Sequence, residues 1–166
     1  MLPAYLPNPV AAVSGGGAPV DSGRMYSDGR RIFGDGKTWR GLVVGILAGA
    51  GIGIIQIQAA GAFGLGFLPH LTLLAVILLA TGALLGDLVK SFFKRRWGKE
   101  RGAPWPVADQ YDLVAGAFLL ILIFDTAWLF SEVTLAAFIV ILILTPVLHR
   151  AVNIIGFMIK VKEVPW

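Results

Sequence analysis

The sequence predicts an all-α integral membrane protein, a polytopic bundle of four to five transmembrane helices with two cytoplasmic loops forming its functional site. Three observations carry this. Hydrophobic residues make up 57% of the chain and charged ones only 14%, too apolar for an ordinary soluble domain. Four stretches, 41–63, 69–89, 110–131 and 133–155, come near the roughly 20 apolar residues that a spanning helix needs. The basic residues concentrate in two segments separated by two of these runs, and the positive-inside rule places both segments in the cytoplasm.

Each part follows in order along a single membrane domain, 1–166. Residues 1–13, "MLPAYLPNPVAAV", are apolar but short and carry three prolines; they read as a partial span or as a re-entrant or surface segment. Residues 14–40 form the first cytoplasmic loop, with Arg24, Arg30, Arg31, Lys37 and Arg40. The first span, "GLVVGILAGAGIGIIQ", has glycines that allow close helix packing. The second basic loop, 90–109, carries six cations, Lys90, Lys94, Arg95, Arg96, Lys99 and Arg101. The connections at "GLGFLPH" and at Ser131–Glu132 carry no Lys or Arg, so they lie outside, while Lys160 and Lys162 return to the cytoplasm. Asp125, inside the third run, is expected to pair with Gln56 or Gln58 as a structural contact. Thr145–Pro146 predicts a kink whose freed carbonyl must find another donor, and His149 and Arg150 read as interfacial anchors.

Several chemistries are excluded. With no cysteine there is no disulfide, thiol nucleophile or thiolate metal site. His70 and His149 fall on opposite predicted sides, so no histidine cluster forms. The net charge of +4 is modest, and no basic patch interleaved with aromatics points to nucleic acid.

The chemistry that remains uses carboxylates, hydroxyls and cations. If the second span continues as a helix through "GDLVKSFFKRRWGK", then Asp87, Lys90, Ser91, Lys94 and Arg95 recur at i, i+3, i+4, i+7 and i+8 on one face. Asp109 and Asp112 follow at i, i+3 in the first turn of the third span, after a turn forced by two prolines around Trp105. Single acids at such positions are ordinary helix caps and single cations are topology anchors. Three carboxylates at one depth repel one another, and a divalent cation relieves this most simply; hard oxygen ligands suit Mg²⁺. The metal set is then Asp87, Asp109 and Asp112, and the cationic stripe would take phosphate oxygens. The first loop adds glycines, Asp21, Asp28 and Asp35, and ends in Gly36, Lys37, Thr38 and Arg40 at a helix start. This reads as a phosphate or nucleotide cradle, although Arg31 stands where a Walker A loop needs glycine.

The strings "GDLVKSFFKRR" and "PWPVADQYD" resemble the signature of the CTP-dependent CDP-diacylglycerol synthases, which runs from an acidic residue and Ser through Lys-Arg to Asp-x-x-Asp. The matching positions are Asp87, Ser91, Lys94, Arg95, Lys99, Asp109 and Asp112. The bacterial pattern has His-Gly-Gly where this chain has "PVA", and its members are longer. These departures, with "GGGAPVDSG", "DGRRIFGDGKTWRG" and "DQYD", resemble the archaeal branch, the CDP-archaeol synthases, over nearly the whole chain. The resemblance implies an Mg²⁺-dependent nucleotidyltransferase in the cell membrane, with its active site on the cytoplasmic side. It would convert CTP and the ether-lipid phosphate 2,3-bis-(O-geranylgeranyl)-sn-glycerol 1-phosphate to CDP-archaeol and pyrophosphate. Catalysis would fall to Asp87, Lys94, Arg95, Lys99, Asp109 and Asp112, and nucleotide or lipid-phosphate binding to Gly36, Lys37, Thr38, Arg40 and Ser91. Two rivals use similar residues. CDP-alcohol phosphotransferases need a D-G-x-x-A-R run that is not here. A carrier or scaffold for anionic lipid or nucleotide would have no use for carboxylates that repel its ligand.

Overall fold

The computed structural model describes residues 1–66, 68–100 and 102–161; Arg101 and Lys162, counted above among the cytoplasmic cations, lie outside the described residues. The described chain is helical: α1 (Leu2–Tyr5), α2 (Pro7–Val13), α3 (Trp39–Ala62), α4 (Leu73–Arg96), α5 (Ala108–Phe124), α6 (Thr126–Glu132) and α7 (Leu135–Met158). Three helices, α3, α4 and α7, are long and apolar enough to cross a membrane, and the bent pair α5–α6 makes a fourth if it is one span. Each of the three long helices starts on a threonine. Thr38, Thr72 and Thr134 accept hydrogen bonds from the N–H groups of Gly41 (3.1 Å), Ala75 (3.0 Å) and Ala137 (3.2 Å), which satisfies a donor that a helix start otherwise leaves free.

Helix α4 is the centre of the bundle. Half of its most apolar window is buried inside the molecule, against 6% for α7, whose Leu135, Ile143 and Val147 stay exposed as on a helix facing acyl chains. Ala75, Leu79 and Ala83 of α4 pack with Leu113, Ala117 and Ile121 of α5. Small residues bring their axes together. A Cβ on Gly82 would stand 2.6 Å from the carbonyl oxygen of Gly116, and one on Gly116 would stand 2.7 Å from the Cα of Gly86, so backbone meets backbone. The first span's glycines serve the same purpose. Gly41, Gly45 and Gly49, at i, i+4 and i+8, face Ala11, Pro7 and Pro3, with 2.7–2.8 Å left between an added Cβ and those carbonyls. Residues 1–13 thus form two short helices laid along the glycine face of α3.

Two expectations need correction and one is met. The single helix over 110–131 breaks at Asp125, and α5 and α6 diverge by 117°. Asp125 does not bridge to the glutamines of α3. Its carboxylate accepts from the Trp128 N–H (3.3 Å) and caps α6, a short acidic side chain competing with the helix's own bonding. The break turns α6 across the connection between α3 and α4, where the Trp128 indole donates to the His70 carbonyl (2.7 Å) and the Glu132 carboxylate accepts from the His70 N–H (2.6 Å). The expected donor for the carbonyl freed by Pro146 is present. Leu142, four residues earlier, accepts from the Tyr111 hydroxyl (2.8 Å).

Replacing Gly116 with valine is expected to lower the thermal unfolding midpoint in detergent by several degrees, since overpacking a filled contact costs about 1–3 kcal/mol. The tryptophans report it by intrinsic fluorescence. Gly51→Ala, where nothing lies within 4 Å of the new Cβ, should leave the midpoint in place.

Candidate active site

Helix α4 runs without interruption through Arg96, which puts Asp87, Lys90, Ser91 and Lys94 on one face toward α5. The glycine contact sets this face against Asp109 and Asp112 in the first turns of α5. At the centre stands Lys90, whose ammonium lies 3.0 Å from Asp87, 3.2 Å from Asp109 and 2.7 Å from Asp112. Lys94 donates to both oxygens of Asp109 at 3.2 Å. Lys37, reaching in from the first loop, pairs with Asp87. Three carboxylates thus face three ammonium groups, and the cluster balances its own charge. Most of it is shielded: the Asp112 side chain is 4% exposed and that of Lys90 15%.

Local bonding orients the acids. Asp109 accepts from the Trp105 N–H (2.7 Å), so the turn around the two prolines aims its carboxylate, and Asp112 accepts from the Leu113 N–H (2.6 Å). Ser91 is buried beside Lys94 on α4. Next to Asp87 and Lys37 opens a cavity lined by Asn8, Ala11, Ala12, Gly36, Thr38, Leu84 and Leu88. Its lining combines the polar Asp87, Lys37, Asn8 and Thr38 with alanines of α2 and leucines of α3 and α4.

Arg40 and Thr38, expected to bind, and Arg95 and Lys99, expected to be catalytic, instead hold the scaffold together. Arg40 donates to the carbonyls of Ser14 (2.7 Å) and Gly15, tying the end of α2 to α3 instead of reaching the cluster. The Thr38 hydroxyl caps α3. Arg95 bridges the two loops through the carbonyls of Phe33 (3.5 Å) and Lys99 (2.6 Å), and Lys99 donates to the Pro104 carbonyl (3.3 Å). Of the first-loop set, Lys37 pairs with Asp87, and Gly36 and Thr38 line the cavity beside it.

The glycine-rich loop is not an open anion cradle either. The fully buried Asp21 carboxylate collects the N–H groups of Gly23 (3.1 Å), Phe33 (2.9 Å) and Gly34 (3.0 Å) and the Arg31 guanidinium (2.6 Å). An internal anion fills the nest the glycines build. Burial pushes this carboxyl up, but the guanidinium and the three backbone donors outweigh it and hold it well below the ordinary carboxylate range. Arg30 donates to the last carbonyls of α4, Arg95 (3.1 Å) and Arg96 (2.9 Å), while Arg96 donates back to the Arg31 carbonyl (2.7 Å) and lies over the Tyr26 ring. The loop is therefore clamped onto the cluster. Asp21, Arg30, Asn8 and the central role of Lys90 were missed in sequence. Lys90 had a visible signal, three residues after Asp87 on the shared stripe; the others had none beyond residue type.

The expected metal set is also changed in form. Among the described residues no group of three acids stands ready to hold a metal ion, and Lys90 sits between the three carboxylates. Their chemistry still fits a small hard cation, since oxygens from all three already converge on one positive charge at 2.7–3.2 Å.

Known proteins agree on what this arrangement belongs to. The family model described as "CarS-like: CDP-archaeol synthase" matches residues 1–166. The chain belongs to the CDP-archaeol synthase family. It is 64% identical to the CDP-archaeol synthase of Methanoregula boonei and 63% identical to that of Methanoculleus marisnigri, over 166 residues and the full length of both chains in each case. The CDP-archaeol synthase of Methanosarcina barkeri is 48% identical, again over all of both chains. A solved structure described as "an intramembrane enzyme for archaeal membrane lipids biosynthesis" superposes with a TM-score of 0.65 at 42% identity, covering 74% of this chain and 73% of that one. This member of the CDP-archaeol synthase family is accordingly an enzyme, a multi-pass membrane nucleotidyltransferase of archaeal lipid biosynthesis.

The Asp21 hub makes a prediction for the first loop. A carboxyl whose folded pKa is depressed contributes stability that is complete above its unfolded value, about 3.9, and lost as pH falls through the folded one. Resistance of the loop to proteolysis at Arg24 and Arg30 should therefore be flat from pH 8 to 5 and fail only in stronger acid. Asp21→Asn should be cleaved several-fold faster by trypsin at pH 8, as read by gel.

Proposed function

We propose that this chain transfers the cytidylyl group of CTP to 2,3-bis-(O-geranylgeranyl)-sn-glycerol 1-phosphate, giving CDP-archaeol and pyrophosphate with Mg²⁺, at the cytoplasmic face of the cell membrane. The observation that supports this most is the balanced cluster of Asp87, Asp109 and Asp112 with Lys37, Lys90 and Lys94, placed where apolar helices give way to basic loops. Asp87, Asp109 and Asp112 would hold the metal, which when bound would neutralise phosphate oxygens and polarise the phosphorus they surround.

The chain's own residues account for the rest. An oxygen of the lipid phosphate attacks the α-phosphorus of CTP; a new P–O bond forms, the bond to the bridging oxygen breaks, and pyrophosphate leaves with the electron pair. A phosphate monoester is already anionic near neutral pH, so no general base is needed, in keeping with a cluster that contains no histidine. Lys37 and Lys94, on opposite sides of the acids, donate to phosphate oxygens and stabilise the charge that gathers on the leaving group. The cavity beside Asp87, whose lining includes Ala11, Ala12, Leu42, Leu84 and Leu88, accepts the glycerol end of the lipid while its phosphate turns toward Lys37. Arg95, Lys99 and Arg40 act through the loops they tie, holding Lys37 and Asp109 in position.

Purified protein in detergent, given labelled CTP, Mg²⁺ and the ether-lipid phosphate, is expected to form a CDP-lipid and pyrophosphate. Asp87→Asn and Asp109→Asn should each lower the rate by about a hundredfold or more. Wild-type protein that bound both CTP and lipid yet released no pyrophosphate would overturn the proposal.

A further inference from the structure

Lys90 is not required by the chemistry above, yet it occupies the middle of the cluster. Its ammonium touches all three carboxylates at 2.7–3.2 Å, the one place from which a single cation serves Asp87, Asp109 and Asp112 together. A divalent ion and this ammonium cannot share that place. Charge leads to the same restriction: three carboxylates already face Lys37, Lys90 and Lys94, so a divalent ion entering alone would leave a shielded site with two uncompensated positive charges. The same ion arriving on a triphosphate brings its own negative charge and offers displaced Lys90 a new anionic partner.

We propose that Lys90 is a further substrate-binding residue that stands in for the metal in the free enzyme and passes to the triphosphate when metal and nucleotide arrive together. Resting on the metal site proposed above, this makes metal binding dependent on the nucleotide. The long flexible lysine stem suits a group that must change partners. Arg95 and Arg96 on the same helix hold backbone carbonyls, and Arg96 also pairs with the loop carboxylate of Asp28 (3.1 Å).

The test measures Mn²⁺ binding by the paramagnetic signal of the free ion, with and without α,β-methylene CTP, which cannot be cleaved. Wild-type protein is expected to bind Mn²⁺ weakly alone and about tenfold or more tightly with the analogue. Lys90→Met should bind Mn²⁺ alone about tenfold more tightly than wild type, because no internal ammonium competes. Its unfolding midpoint should fall in metal-free buffer and recover when Mn²⁺ is added. Should Lys90→Met fail to fold, Lys90→Arg keeps the charge, and its forked guanidinium grips carboxylates harder; Mn²⁺ binding with the analogue should then weaken about tenfold. Mn²⁺ binding to nucleotide-free wild type as tight as to Lys90→Met, or unchanged affinity in Lys90→Arg, would overturn the proposal. Absence of Mn²⁺ binding to every form, with CDP-lipid still produced, would instead remove the metal site itself and this role for Lys90 with it.

Discussion

The site depends on how closely α4 and α5 approach. Gly82, Gly86 and Gly116 let the two backbones touch, and Asp87 and Asp112 stand within one residue or one turn of that contact. A methyl group at any of the three would push the helices apart by more than the slack in a 2.7–3.2 Å ion pair. Carboxylates on separate helices can then no longer share one cation. Close packing in a membrane is usually discussed as a source of stability; here it also sets the distance between the acids of the cluster. Tyr111 extends the same constraint to α7, since the residue next to Asp112 donates to the carbonyl that Pro146 leaves unpaired.

Around this contact the arginines brace the loops, through carbonyls and through loop carboxylates such as Asp21 and Asp28, while three lysines meet the acids of the site. Arg30, Arg40, Arg95 and Arg96 donate to backbone carbonyls of the loops and helix ends, using planar forks that can satisfy two acceptors at once. Lys37, Lys90 and Lys94 meet carboxylates. The division keeps the loops fixed while leaving the exchangeable point charges inside the site. Asp21 completes it: by filling the glycine-rich nest with a permanent anion, it turns what resembles a phosphate loop into a rigid base for Lys37.

The amount legible in sequence follows from whether the signal was periodic or conformational. Helix α4 and its polar stripe were legible because spacing on a continuous helix fixes which residues share a face. The glycine face of α3 and the unpaired carbonyl before Pro146 were legible for the same reason. The break at Asp125 was not, because an apolar run on both sides hides a cap that depends on one carboxylate turning back to the Trp128 N–H. The arginine roles were hidden as well. Residue type announces a cation, but whether it meets a phosphate or a carbonyl depends on loops brought together from opposite ends of the chain, as when Arg40 finds Ser14 and Arg30 finds Arg96. The structure brings the three acids together, while the ammonium between them was read as one more member of the stripe.

If CTP and a lipid phosphate react at this cluster, its depth along α4 sets how each would reach it. From the cap at Thr72 to Asp87 is fifteen residues, about 22 Å of helix at 1.5 Å per residue, short of the roughly 30 Å of a bilayer's hydrocarbon core. The helix then continues for nine more residues, to Arg96. The carboxylates thus belong to the boundary between the apolar and the basic parts of α4, below its aqueous end. A soluble nucleotide has to descend toward that level, and the basic segments above it favour an anion's descent. A lipid phosphate, whose headgroup sits beyond the hydrocarbon core, would have to be drawn inward toward the same level. At such a boundary an unbalanced charge is costly in either direction, so a cluster that is neutral at rest and exchanges one cation for another as its ligands enter keeps the site from ever carrying a bare charge.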